Sequence, residues 1–319
     1  MARLRDVAKA ANVSVAAASY AFSSAPEKRE KLSAGTLERI RKVAAELRYT
    51  PSIQGRAFAL RRNFAVALLL PSHCAANFSH HNLRMFHGVS SAVTASDYNL
   101  QVTFGCQERF LRDLEQRRFD GVVMVSKLAE SPVIDTLAQT GVPLVLLGRA
   151  WPPESGVGSV SSDFAGFLRE VAGHFRAKGC RRVKLFCRQH SGFASDREFT
   201  AAFHTVAAEE NWTAPVAEPE TFAPDDAEDC DALIFRTLSP AAEEFLRCDK
   251  RPAAVWSDRF PASRGDLRMG YYDSITIGRK GVEMLFGMMD AGRPAAVLRV
   301  PHRNIPEDET GSTSYQLDF

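Results

Sequence analysis

The sequence predicts an α/β protein: a small helical head, a short linker, and a two-lobed body with parallel sheets. Three observations predict it. Apolar residues recur at helical spacing through the first fifty positions. From about residue 63, apolar runs of strand length alternate with helical segments, and this arrangement occurs twice in succession. Charge divides at the same place. Residues 1–62 hold 13 Lys and Arg against 5 Asp and Glu, a net of +8, and the rest holds 27 against 33, a net of −6. The overall +2 therefore hides a basic head on an acidic body.

The head opens with RLRDVAKAANVSVAAASYAFS, residues 3–23. Leu4, Val7, Ala8 and Ala11 share one helical face, and the pattern breaks at Ala11-Asn12-Val13. Ser14 stands where an N-cap belongs, and a second short helix runs from Val15 to about Phe22. Two short helices joined by a tight turn are a helix-turn-helix, whose second helix can enter the DNA major groove. TLERIRKVAAELRY then places Leu37, Ile40, Val43, Ala44 and Leu47 on one face, which closes a three-helix core. YTPSIQGRAFALRRN follows, a proline-started segment ending in two arginines. A basic head of this kind suits a phosphate-rich partner through counterion release; a solvated basic helix face is the plain alternative. In the loop SSAPEKREKLS, Lys28, Arg29 and Lys31 either add phosphate contacts or are simply solvated.

In the body, strands fall at FAVALLLP, YNLQVTFG, GVVMVS and PLVLLG, with helices such as LRMFHGVSSAVTAS and FLRDLEQRR between them. The second half gives a helix at DFAGFLREVAGHFRAKG, a strand at RRVKLFC, a helix at DREFTAAFHTVAAEE, and strands at DALIFRT and PAAVWSD. RMGYYDSITIGRKGVEMLFGMMDAG adds a strand and a helix, and AAVLRVPHR a last strand. Two such units enclose a cleft, which is a natural small-molecule site.

Several classes are set aside. MARLRDV has no apolar leader, and no stretch approaches the roughly 18 apolar residues of a membrane span. The six cysteines form no C-x-x-C pair and read as reduced. P-loop and G-x-S-x-G patterns are missing, and GVGSVSS lacks the third glycine of a nucleotide fingerprint. His73, Cys74, His80, His81 and His87 cluster without a metal-ligand motif. The reading is a cytoplasmic, nucleoid-associated protein with no catalytic residue, no metal and no cofactor.

RLRDVAKAANVSVAAASYAFS, LSAGTLERIRKVAAELRYTPS and GRAF together resemble the head of the LacI/GalR (lactose-repressor-like) family, whose pattern reads roughly "DVAxxAGVSxxTVSxxLN … AxxLxYxPN … ARxL". The resemblance implies that Leu4, Ser14, Ser19, Ser33, Thr36, Tyr49 and Ser52 face backbone phosphates, which fixes register without reading sequence. It implies that Val15, Ala16 and Tyr20 reach base edges. Ala17 stands where Thr is usual, Tyr20 where Arg is frequent and Ser23 where Asn is. Val15 and Ala16 offer only apolar contact and Tyr20 one hydroxyl, so bidentate guanine readout is unavailable from these three. Specificity then leans on DNA shape or an unusual operator. The alternative for Tyr20 is a surface aromatic shielding the helix core.

Residues 51–62 resemble the family's hinge helix, which folds in the minor groove. Phe58 falls where a leucine usually wedges between base pairs; its alternative is packing on the body. Gly55 replaces the usual Ala, which costs a helix about 1 kcal/mol.

The body resembles a periplasmic-binding-protein-like, sugar-binding fold, and NIPEDETGSTS resembles the family's closing stretch. The implied layout is a DNA-binding domain at 1–50, a hinge at 51–62 and an effector and dimerisation body at 63–319. Lobe 1 takes about 63–160 and 270–294, and lobe 2 about 161–269 and 295–319. Phe78, Arg197 and Asp258 are the implied effector contacts, with core packing, a surface helix arginine and a strand-end cap as their respective alternatives. Arg236-Thr237-Leu238-Ser239 stands where the family usually has an Asn-Asp pair, so a usual polar effector contact is missing.

The resemblance thus implies a regulator, read as a repressor, that binds a pseudo-palindromic DNA operator as a homodimer. A carbohydrate-like effector in the cleft modulates that binding, and no membrane is involved. The alternative from another class is a cytosolic small-molecule-binding protein or enzyme on the two-lobed fold.

Overall fold

In the computed structural model, the described residues are 2–22, 26–50, 60, 62–76, 78–125, 132–190, 192–256 and 267–303. The chain forms two compact units, Met1–Asn63 and Phe64–Phe319.

The first unit holds α1 (Leu4–Ala10), α2 (Val15–Ala21), the single turn α3 (Pro26–Arg29) and α4 (Ala34–Glu46). Asp6 accepts the Arg3 N–H at 2.8 Å and closes the first turn of α1. Asn12 takes the left-handed conformation, φ 49°, that the turn into α2 requires, and Asn tolerates it better than most side chains. Val7, Ala11, Ala21, Ile40 and Ala44 make the core, with Phe22, Leu37 and Tyr49 packed against it. The small alanines let three short helices approach closely.

The second unit contains two parallel sheets. Strands β1 (Ala65–Leu70), β2 (Asn99–Phe104), β3 (Gly121–Val125), β4 (Leu144–Leu147), β5 (Gly158–Ser162) and β11 (Val297–Val300) order as β11-β5-β4-β3-β1-β2. Strands β6 (Val183–Phe186), β7 (Val216–Ala217), β8 (Ala232–Phe235), β9 (Ala253–Trp256) and β10 (Leu267–Gly270) order as β10-β9-β8-β6-β7. Runs such as VVMV and ALIF carry no alternation because helices cover both faces, so every residue is buried. α5 (His80–Thr94), α6 (Glu108–Glu115), α7 (Pro132–Gln139) and α11 (Ser274–Ala291) accompany the first sheet. α8 (Phe164–Ala177), α9 (Ala194–Glu210) and α10 (Pro240–Cys248) accompany the second.

One expectation is corrected. Residues 295–319 were assigned to lobe 2, yet β11 pairs with β5 in the first sheet, Val297 opposite Ser159 through Val300 opposite Ser162. β11 thereby forms the outer strand of the first sheet beside β5, and the second sheet ends at β10. Lobe 2's sheet is therefore built from one continuous stretch, and lobe 1's sheet is the interrupted one. The closing stretch NIPEDETGSTS lies outside the described residues. GVGSVSS, set aside above as a nucleotide loop, runs through β5, whose five residues are all buried. Its hydroxyls are satisfied inside: Ser159 Oγ accepts the Trp151 N–H at 3.1 Å and Ser161 Oγ accepts from Arg299 at 2.8 Å.

The chain passes between the lobes at Asp163, at Tyr271–Asp273 and at Pro301–Arg303. The passages lie side by side: Asp163 N–H donates to the Val300 carbonyl at 2.8 Å, and Tyr271 and Arg303 exchange backbone bonds of 2.9 and 3.0 Å. Two of them end in the same device. Asp163 caps α8 by accepting the Gly166 N–H at 2.9 Å, and Asp273 caps α11 by accepting the Thr276 N–H at 3.1 Å. In lobe 1, α5 and α11 cross at Gly88 and Gly278. A Cβ at Gly88 would enter the Ile275 carbonyl, and one at Gly278 the Met85 carbonyl. Only glycine permits that backbone approach.

Candidate functional site

In the head, Ser14 does what its position predicts. Its Oγ accepts the Ala17 N–H at 3.0 Å, in an extended conformation (ψ 153°) that starts α2. α2 buries Ala18 and Ala21 and leaves Val15, Ala16 and Ser19 exposed; Val15 is 47% exposed. An isolated apolar side chain held out at a helix N-terminus beside a serine hydroxyl suits a groove lined by base edges and phosphates. Tyr20 is half-buried, with the Lys31 ammonium 5.7 Å from its ring centre. Ser33 caps α4: its Oγ accepts the Thr36 N–H at 3.3 Å and lies 2.9 Å from the Thr36 hydroxyl. Leu4 opens α1 and is half-buried. The Tyr49 ring lies 5.4 Å from Phe22, and burial pushes its phenol pKa up. The ring is part of the head core, and its edge remains partly exposed. Ser52, Gly55 and Phe58 lie outside the described residues.

In the body, two of the three expected effector contacts are described, Phe78 and Arg197. Phe78 is half-buried and packs edge-on to Phe86 and Phe104, centroids 6.1 and 6.4 Å away, at the margin of the lobe 1 core. Arg197 is exposed on α9: the helix turns Ala194, Asp196, Phe199 and Phe203 inward, and position 197 falls on the other face. Asp258 lies outside the described residues.

Arg236, at the carboxyl end of β8, is the centre of a buried polar cluster. Its side chain is 10% exposed and sits 3.4 Å from the Asp196 carboxylate, itself 5% exposed. It also donates to Ser195 Oγ at 3.2 Å and to the Tyr272 hydroxyl. The rings of Tyr272, Phe164 and Phe199 lie 5.5, 5.7 and 5.8 Å from the guanidinium carbon. Tyr272 sits in a passage between the lobes. It also meets His81, from the first turn of α5 in lobe 1, with ring centroids 4.7 Å apart. His81 Nδ1 lies 2.9 Å from Ser274 Oγ. The stretch Arg236-Thr237-Leu238-Ser239 therefore does not leave the site bare. Arg236 goes into the cluster, and Ser239 caps α10 by accepting the Ala242 N–H at 3.2 Å.

The cluster stands at the carboxyl end of a parallel strand, where open α/β sheets bind ligands. It pairs a buried donor fork and a carboxylate with aromatic faces, a set suited to hydroxyls on a ring-shaped molecule. A charged residue directly after a four-residue buried strand was the available signal for Arg236 in the sequence. Among the described residues no group of three or more His, Cys, Asp or Glu could hold a metal, and no helix is long and apolar enough to cross a membrane.

Comparison with known proteins bears on both regions. Residues 3–52 match the family model described as "Bacterial regulatory proteins, lacI family". The chain is 26% identical over 186 residues to the HTH-type transcriptional regulator MalR of Streptococcus pneumoniae serotype 4, covering 56% of this chain and 55% of MalR. The chain thus spans little more than half the length of the first curated relatives it matches. Among solved structures, the Lac repressor dimer bound to operator and an anti-inducer aligns with a TM-score of 0.64 at 16% identity, over 94% of this chain and 96% of that one. A transcriptional regulator CelR–cellobiose complex aligns with a TM-score of 0.59 at 19% identity, over 95% and 98%. These likenesses establish the two-lobed, periplasmic-binding-protein-like fold of the body. Residues 3–52 therefore carry the helix-turn-helix of the lacI family of bacterial regulatory proteins, followed by a body with the fold of the Lac repressor.

Proposed function

We propose that the protein is a cytoplasmic repressor that binds a pseudo-palindromic operator as a homodimer, and that a small carbohydrate-like molecule in the cleft shifts its operator affinity. The observation that carries this reading is the head: a serine-capped α2 with Val15 and Ala16 held outward, on a segment of net charge +8. Val15, Ala16 and Tyr20 meet base edges, and Leu4, Ser14, Ser19, Ser33, Thr36 and Tyr49 face phosphates. One small head makes few contacts, so two heads on a two-fold site supply the affinity. In the cleft, Asp196, Arg236, Tyr272 and His81 join Phe78, Arg197 and Asp258 as effector contacts. The cellobiose complex of CelR and the operator complex of the Lac repressor support the classes of ligand and target. An effector acts only through its differential affinity for two lobe arrangements.

The test is binding of the full chain to double-stranded DNA as salt is raised. The expected result is a fall in log affinity against log salt of about 0.9 per phosphate neutralised. A flat response overturns DNA binding.

A further inference from the structure

We infer that Glu198 is a clasp that holds the two lobes of the body together through the protein's own groups. The inference rests on the two-lobed body and not on any effector or operator. Glu198 lies in the second turn of α9, which belongs to lobe 2. Both carboxylate oxygens reach into lobe 1. Oε1 accepts the backbone N–H of Ala150, just past β4, at 2.9 Å. Oε2 pairs with Arg299 of β11 at 2.7 Å, and Arg299 also donates to Ser161 Oγ of β5 at 2.8 Å.

A third group draws on the same carboxylate. Arg149 is 6% exposed, with its guanidinium 4.5 Å from the Trp151 ring centre. Burial pulls the Arg149 pKa down, and the Glu198 charge works against that shift. One carboxylate of lobe 2 thus serves a backbone donor and two arginines of lobe 1. The Glu198 side chain is 20% exposed and that of Arg299 42%, so water partly screens the pair, and the Ala150 bond adds a contact to uncharged backbone. Separating the lobes removes from Arg149 the charge that offsets its burial and leaves Ala150 N–H to find water. Opening therefore carries a cost that is absent from movement within either lobe.

The position of Glu198 matters as much as its contacts. Ser195 and Asp196, one turn earlier on α9, hold Arg236. The same short stretch of helix thus grips the cleft cluster and the opposite lobe. Anything that displaces its first turn disturbs both.

Hydrogen exchange on the full chain, read by mass spectrometry, tests this in Glu198→Ala and Glu198→Gln. Opening exposes both walls of the cleft at once. The expected result for Glu198→Ala is exchange at least tenfold faster at Ala150 in lobe 1 and also in the first turn of α9 in lobe 2. The cores of both sheets stay protected. Glu198→Gln keeps an acceptor for Ala150 but loses the charge, and gives a smaller two-sided rise. A change confined to Ala150, or none, overturns the clasp. If Glu198→Ala loses protection throughout both sheets, Arg299→Gln decides. It breaks the ion pair and leaves the Ala150 bond. A two-sided rise there supports the clasp, and unchanged exchange overturns it.

Discussion

Replacing Asp196 alone removes the carboxylate that faces the buried Arg236 cation, and the expected cost is about 3–5 kcal/mol. Replacing Arg236 alone removes the cation that faces the buried carboxylate and costs a similar amount. The double change Asp196→Leu with Arg236→Met removes both charges and should cost less than either single change, as denaturant melts of the three variants would show. Ser14→Ala acts through a different mechanism. It removes the acceptor for Ala17 N–H and should destabilise the head by about 1 kcal/mol, measurable as a lower melting temperature of the head's transition. The two sites also differ in how readable they were. Ser14, Ser33 and Asn12 act on neighbours within four positions, so the sequence exposes them directly. Arg236 meets partners 36 to 41 positions away, and Glu198 partners 48 and 101 away. No local pattern carries those pairings.

At the level of elements, the crossing of α5 and α11 has least room to adjust. The two glycines bring backbone against backbone, so an added methyl meets a carbonyl and not a movable side chain. Gly88→Ala and Gly278→Ala should each cost about 1–3 kcal/mol or more, as overpacking does, and urea melts would register the loss. Gly173→Ala, where a Cβ meets nothing within 4 Å, is the control and should be neutral or slightly stabilising. Strand β5 shows why one element escaped a reading based on apolar runs. Three of its five residues are serines, which normally mark a turn, yet all are buried because Trp151 N–H and Arg299 supply partners for two of the hydroxyls. The apolar strands β1, β3, β4, β8 and β9 were legible because burial on both faces leaves no polar position to blur the run.

For the whole molecule, the division of charge and the repeated alternation of strand and helix were enough to predict a basic head and two parallel lobes. The sequence did not disclose where the last strand belongs, because AAVLRVPHR pairs equally well on paper with either sheet. The observed pairing of β11 with β5 predicts an asymmetric response to truncation. A chain ended at Ala296 should lose hydrogen-exchange protection in β5 and its neighbours in lobe 1. Protection in β6, β8 and β9 should be retained, since every strand of that sheet lies between Val183 and Gly270.

The interrupted lobe also sets an order of assembly during synthesis. The lobe that begins second is the first whose strands have all left the ribosome. The lobe that begins first must wait, with one border of its sheet uncovered, until Val297–Val300 has emerged. A nascent chain whose first 272 residues have cleared the ribosome would therefore hold one finished half and one half still waiting for its final pieces.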